Sequence, residues 1–151
     1  VTILQARRYL TVAAAAAGYQ PKDADLTAVA VSGLAGPWTA YTPTITAGSG
    51  TLTTVSATGR YLNMGKLTFV QVAITITTNG TAAGSVRATL PNTATAVGWM
   101  LTGRENGLTA KLLQGFIGPG SPTLITIVNY DNTYPGASGA SIIVSGCYEN
   151  A

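Results

Sequence analysis

The chain has 151 residues, enough for one domain with a short extension, and only 9% of them are charged, against about 25% in an ordinary soluble domain. With 24 Thr, 18 Gly and no histidine, the composition favours pleated, turn-rich structure. It also excludes the Ser-His-Asp triad, the commonest general base and most transition-metal sites.

The first segment, Ile3 to Ala17, ends in five consecutive alanines, the best helix formers. Gly18 and Pro21 then supply a stop. The pattern predicts a helix over 3–17 with one face small enough for close packing. Ile3, Leu4, Arg7, Arg8 and Leu10 are its candidate docking residues. Asp23 is placed to cap a further helical turn, with Leu26 and Val29 as its apolar contacts. The Gly-containing joint from Ser32 to Pro37 divides the chain into a partly helical anchor or linker, 1–36, and a second region, 37–151.

From Trp38 onward the apolar pattern has a period of two. Trp38 to Thr46 reads as a strand that Pro43 confines to an edge or bulge. Thr51 to Thr58 and Arg60 to Met64 read as two more. Leu67 to Thr78 is the clearest: Val70, Val72, Ile74 and Ile76 share one face, which is expected to be core. The opposite face is small, polar and uncharged apart from Phe69, and offers Phe69, Gln71, Thr75 and Thr77 as candidates for a subunit interface. Asn79-Gly80 is a hairpin signal, and Ser85 to Leu90 returns from it. Val97 to Arg104 and Leu108 to Gly118 flank a second such signal, Asn106-Gly107. Leu124 to Tyr130 and Ala140 to Tyr148 close the series around the polar loop 131–139. Eight or nine short strands with turns at this spacing predict an all-β fold, a jelly-roll-like β-sandwich.

Chemistry-bearing motifs are scarce. The five acids, Asp23, Asp25, Glu105, Asp131 and Glu149, show no pairing of the kind a glycosidase needs and no calcium-loop spacing. No nucleophile elbow, P-loop or dinucleotide fingerprint occurs. Cys147 is the sole cysteine, so an intrachain disulfide and a cysteine-based zinc cluster are excluded. The basic residues that give the net charge of +3 are scattered, unlike the patch of a nucleic-acid binder. No apolar run approaches the roughly 20 residues that span a bilayer. No catalytic residue, metal or cofactor is therefore expected. The most loop-like aromatic is Tyr134, and Asp131, Asn132 and Tyr134 form a candidate ligand loop, since sugars are held by an aromatic face beside polar groups. A plain surface turn is the competing reading.

Two stretches carry a family resemblance. Gln20-Pro21-Lys22-Asp23-Ala24-Asp25-Leu26-Thr27-Ala28 resembles an element found between modules of phage tail-fibre chains. Trp38-Thr39-Ala40-Tyr41-Thr42-Pro43-Thr44-Ile45-Thr46-Ala47-Gly48-Ser49-Gly50 resembles the opening of a small β-module near the C-termini of phage fibres. Gly59-Arg60-Tyr61, Ile74 to Gly80 and Ser145-Gly146-Cys147-Tyr148 fit the same module in order. The resemblance implies a homotrimer with a β-sandwich head on the exterior of a virion. Its partners would be copies of itself, other capsid or tail proteins, and a host surface glycan for a receptor-binding tip. It carries over no catalytic residue. The extended repetitive shaft of a long tail fibre is missing, which leaves a short head fibre, a capsid-decoration subunit, a short tail fibre or a fragment of something longer.

Overall fold

A computed structural model describes residues 36–151. The helix expected over 3–17, and with it Ile3, Leu4, Arg7, Arg8 and Leu10, lies outside the described residues. Among those described there is no helix, and nine strands follow one another: β1 Thr39–Tyr41, β2 Ile45–Ser49, β3 Thr54–Met64, β4 Leu67–Thr78, β5 Ala83–Thr89, β6 Trp99–Glu105, β7 Leu112–Ile117, β8 Leu124–Asn129 and β9 Ala140–Glu149. Every pairing is antiparallel.

The all-β expectation holds, but the two-sheet, jelly-roll-like sandwich is corrected. The strands form one hydrogen-bonded sheet in the order β1-β3-β4-β9-β6-β7-β8-β5-β2. Within it, β6, β7 and β8 make a meander and β9 returns beside β6, which is a Greek key. The sheet is curled into a half-barrel, and chain length dictates this. Laid flat, nine strands would separate the edge strands by roughly 38 Å. Yet β1 and β2, the two edges, are joined only by Thr42, Pro43 and Thr44, a connection that reaches at most about 15 Å. The closure is tied by the Tyr41 hydroxyl, which donates to the Thr89 carbonyl (3.4 Å), and by the Thr44 amide, which donates to Thr89 Oγ1 (2.9 Å).

The core fills the concave side. Val70, Val72, Ile74 and Ile76 of β4 are all buried, as the alternation predicts. Beside them in the sheet lie Ile142 and Val144 of β9, and Ile125 and Ile127 of β8 belong to the same core. Tyr148 is the largest fully buried side chain, and its hydroxyl donates to the Asn92 carbonyl at 3.0 Å. Burial pushes the phenols of Tyr41 and Tyr148 above their ordinary pKa.

Several strand boundaries differ from expectation; the strand expected over Leu108 to Gly118, for example, is confined to Leu112–Ile117. The strands expected at Thr51 to Thr58 and Arg60 to Met64 are one strand, β3, which starts at Thr54 and runs through Gly59 to Met64. Gly59 is no break: its missing side chain makes room for the Tyr41 ring, whose carbon would lie 2.3 Å from a Cβ there. Trp38 to Thr46, expected as one strand, is split at Pro43 into the two edges of the sheet.

Candidate functional site

The period of two that buries Val70 and Val72 turns Phe69, Gln71, Ala73, Thr75 and Thr77 outward on the convex face of β4. Register then assembles neighbours from distant parts of the chain. Gln71 stands beside Arg60 of β3 and Ser145 of β9; Phe69 stands beside Leu62 and Cys147; Ala73 stands beside Thr58 and Ile143. Arg60 is the hub. Its Nε donates to Gln71 Oε1 at 2.7 Å, and its guanidinium lies 4.8 Å from the centre of the Trp38 ring, within the range of a cation–π contact.

Two shallow grooves meet at Arg60 and Gln71. One, of about 470 Å³, runs past Ala40, Thr58 and Ala73 to Ile143. The other, of about 380 Å³, is bounded by Trp38, Phe69, Ser145 and Cys147. Trp38 is 47% exposed, and Cys147 is also exposed. The surface thus offers an indole, a guanidinium held in a fixed plane, a carboxamide and hydroxyls, with no acid among the lining residues. That set suits a neutral polar ligand or an uncharged protein surface. Of the four interface candidates, Phe69 and Gln71 line these grooves; Thr75 and Thr77 lie further along β4, exposed.

The loop after β8 divides its candidates. The Tyr134 hydroxyl donates to Asn79 Oδ1 at 2.7 Å, and its ring packs against the core, so Tyr134 ties the loop to the β4–β5 turn. Asp131 and Asn132 stay exposed. Asp131 pairs with Lys111 at 3.4 Å, and its carboxyl is held below the ordinary range by hydrogen bonds from Thr133. Gln114 Nε2 donates to Asn132 Oδ1 at 2.7 Å. The exposed aromatic here is Tyr130, with Lys111 Nζ 5.9 Å from its ring centre. Tyr130 belongs to an apolar outer face with Met100, Leu112 and Phe116, each more than 40% exposed. Alternation does not say which face of β6 to β8 is inner, so the sequence does not single out this outer face.

Glu105, the one buried acid among the described residues, ends β6. Its carboxylate accepts from the amides of Gly107, Leu108, Thr109 and Ser141 and from the Thr109 hydroxyl. Burial by itself would raise its pKa; the backbone donors outweigh that and hold it at about 2. Every lone pair is committed, so Glu105 is a clasp joining the β6–β7 turn to β9. Among the described residues no cluster of acids, histidines or cysteines has the makings of a metal site.

No protein-family model and no curated protein matches the chain. Among solved structures it is similar to the Dettilon tailspike protein (gp208), with a TM-score of 0.61 and 16% identity. The likeness covers 78% of this chain and 24% of the tailspike. The chain therefore spans about a quarter of that protein's length, and at this identity what the two share is the fold.

Proposed function

We propose that the chain is a non-enzymatic structural protein of a bacteriophage virion, a homotrimeric β-module at the virion surface with residues 1–36 as its anchor. The observation that carries this is the shared fold with part of a phage tailspike, which favours a tail location over a head fibre or a capsid-decoration subunit. The low charge supports assembly, since so few charged residues protect an isolated domain poorly against association. The committed state of Glu105 supports a non-catalytic role: it leaves no free carboxylate there to act as acid or base. Light scattering after size exclusion should give the mass of three chains, and labelled antibody should decorate tails. A clean monomer, or label confined to capsids, would overturn the assignment in its respective part. Incubation with host polysaccharide should release no new chain ends; their appearance would remove the non-enzymatic claim.

The Trp38–Arg60–Gln71 groove favours a second reading, a receptor-binding tip for a neutral host glycan. An exposed indole and polar groups held in place are what a saccharide face requires. Under this reading Trp38→Ala abolishes binding to a glycan array and lowers adsorption, whereas Tyr134→Phe leaves both unchanged. An array that stays blank with the native trimer would eliminate it.

A further inference from the structure

Strands β6, β7 and β8 bury one set of apolar side chains and leave another outside. Met100 of β6 is paired directly with Phe116 of β7. The amide of Tyr130, just beyond β8, donates to the Leu112 carbonyl at 3.0 Å, which sets those two residues side by side. Phe116 lies four residues beyond Leu112 on β7, so the two pairs are about 13 Å apart along the strand. Met100, Phe116, Leu112 and Tyr130 are 59%, 42%, 61% and 62% exposed.

The polar groups of this face are few and largely engaged. Gln114 stands between the two pairs, and its Nε2 already donates to Asn132 Oδ1 at 2.7 Å and to the Asn129 carbonyl at 3.3 Å. Its cross-strand neighbours are Thr102 and Val128, neither of them charged. Lys111 and Asp131 pair with each other at the margin, and Arg104 stands opposite Leu112 on β6. An apolar centre with its charges at the rim is the anatomy of a protein–protein contact. The Phe116 ring is also held in place. A Cβ at Gly98 or at Gly118 would come within 3.3 Å or 2.9 Å of it, so two glycines seat the ring against the sheet.

We propose that this outer face is the surface by which one copy of the chain binds the next in the trimer, an inference that rests on the homotrimer reading above. A closed threefold ring joins its subunits head to tail, so each chain needs two different patches. The uncharged convex face of β4 is one, and the apolar face of β6 to β8 is the other. The area agrees. At about 200 Å² for a large side chain, the exposed parts of the four residues come to roughly 450 Å². An ordinary interface takes about 800 Å² from each partner, of which about 450–520 Å² is apolar. A glycan fits this face poorly, because its hydroxyls would meet apolar carbon where the central amide nitrogen is already engaged.

Light scattering after size exclusion on the full chain tests this. The native protein should have the mass of three chains. Leu112→Lys combined with Phe116→Lys, which adds charge only at exposed positions, should have the mass of one chain and keep the native circular dichroism spectrum. Tyr130→Lys should do the same, and it stands in for the double variant should that fail to fold. Thr46→Lys, exposed on β2 and away from this face, should stay trimeric. A folded variant of the face that remains a trimer would overturn the proposal and leave the homotrimer reading standing. A monomeric native chain would remove that reading and the proposal with it. Dissociation by Thr46→Lys as well would overturn the proposal, since any added charge would then suffice. A trimeric variant of the face that no longer joins the tail would also overturn it, assigning the face to another virion protein.

Discussion

Glu105 shows how much one side chain organises. A buried carboxylate is costly unless its lone pairs are met, and here four backbone amides from two segments meet them. Its pKa is depressed in the fold, from 4.5 to about 2. The stabilisation is accordingly complete above the unfolded value and is lost as pH falls from about 4.5 towards 2. Because the turn lies at the surface, solvent screening reduces this contribution to about 1–2 kcal/mol. Chemical denaturation of the native chain should show that loss across this window, and Glu105→Gln should flatten it. The same variant, with an amide nitrogen facing backbone donors, should cost about 2 kcal/mol at neutral pH. In the same turn Ala110 has φ 55°, a left-handed conformation unfavourable for a side chain with a Cβ. Ala110→Gly should gain about 0.5 kcal/mol, the relief of strain exceeding the added freedom of the unfolded chain; a shift of the urea midpoint reads it.

At the scale of elements, β1 is attached to the sheet through a glycine and a ring. Tyr41 lies over Gly59 and meets Tyr61 edge-on, with ring centres 5.8 Å apart. Gly59→Ala should drive the ring away and cost about 1–3 kcal/mol, the usual range for overpacking. Tyr41→Ala should be damaging alone, yet the double variant should be less destabilised than the two losses added. A double-mutant cycle measures this coupling directly. The alternating strand β4 was legible from sequence because one of its faces is core and the other is not. Strand β3 was not, since Gly59 reads as a break until Tyr41, far away in the chain, is seen to occupy its space. The Asn106-Gly107 signal correctly marked a turn. The two-residue hairpin it suggests is widened to 106–111, because the amides of residues 107 to 109 fold onto Glu105.

For the whole molecule, a single curled sheet concentrates stability around β4, which makes its two longest pairings, with β3 and with β9. Ile74→Ala, at a fully buried position, should cost about 2–5 kcal/mol, lowering the unfolding midpoint of the entire sheet in one cooperative step. The terminal strands of the sheet are short, β1 with three residues and β2 with five, which makes each a poor template for unwanted strand addition. In the proposed trimer, the convex faces of the long strands β3 and β4 would supply the contacting side chains.

Composition and alternation by themselves determined the all-β class, the number of strands to within one, the inward face of β4 and the absence of histidine chemistry. These are local properties: a side chain's preference for a pleat, and the period that separates its two faces. Strand order, the closure of one sheet through Pro43, the meeting of Trp38, Arg60 and Gln71, and the inward turn of Tyr134 were decided by the tertiary structure. Each depends on which strands pair and in what register, and that is settled by how one core fills the concave side of the sheet rather than by any residue's immediate neighbours.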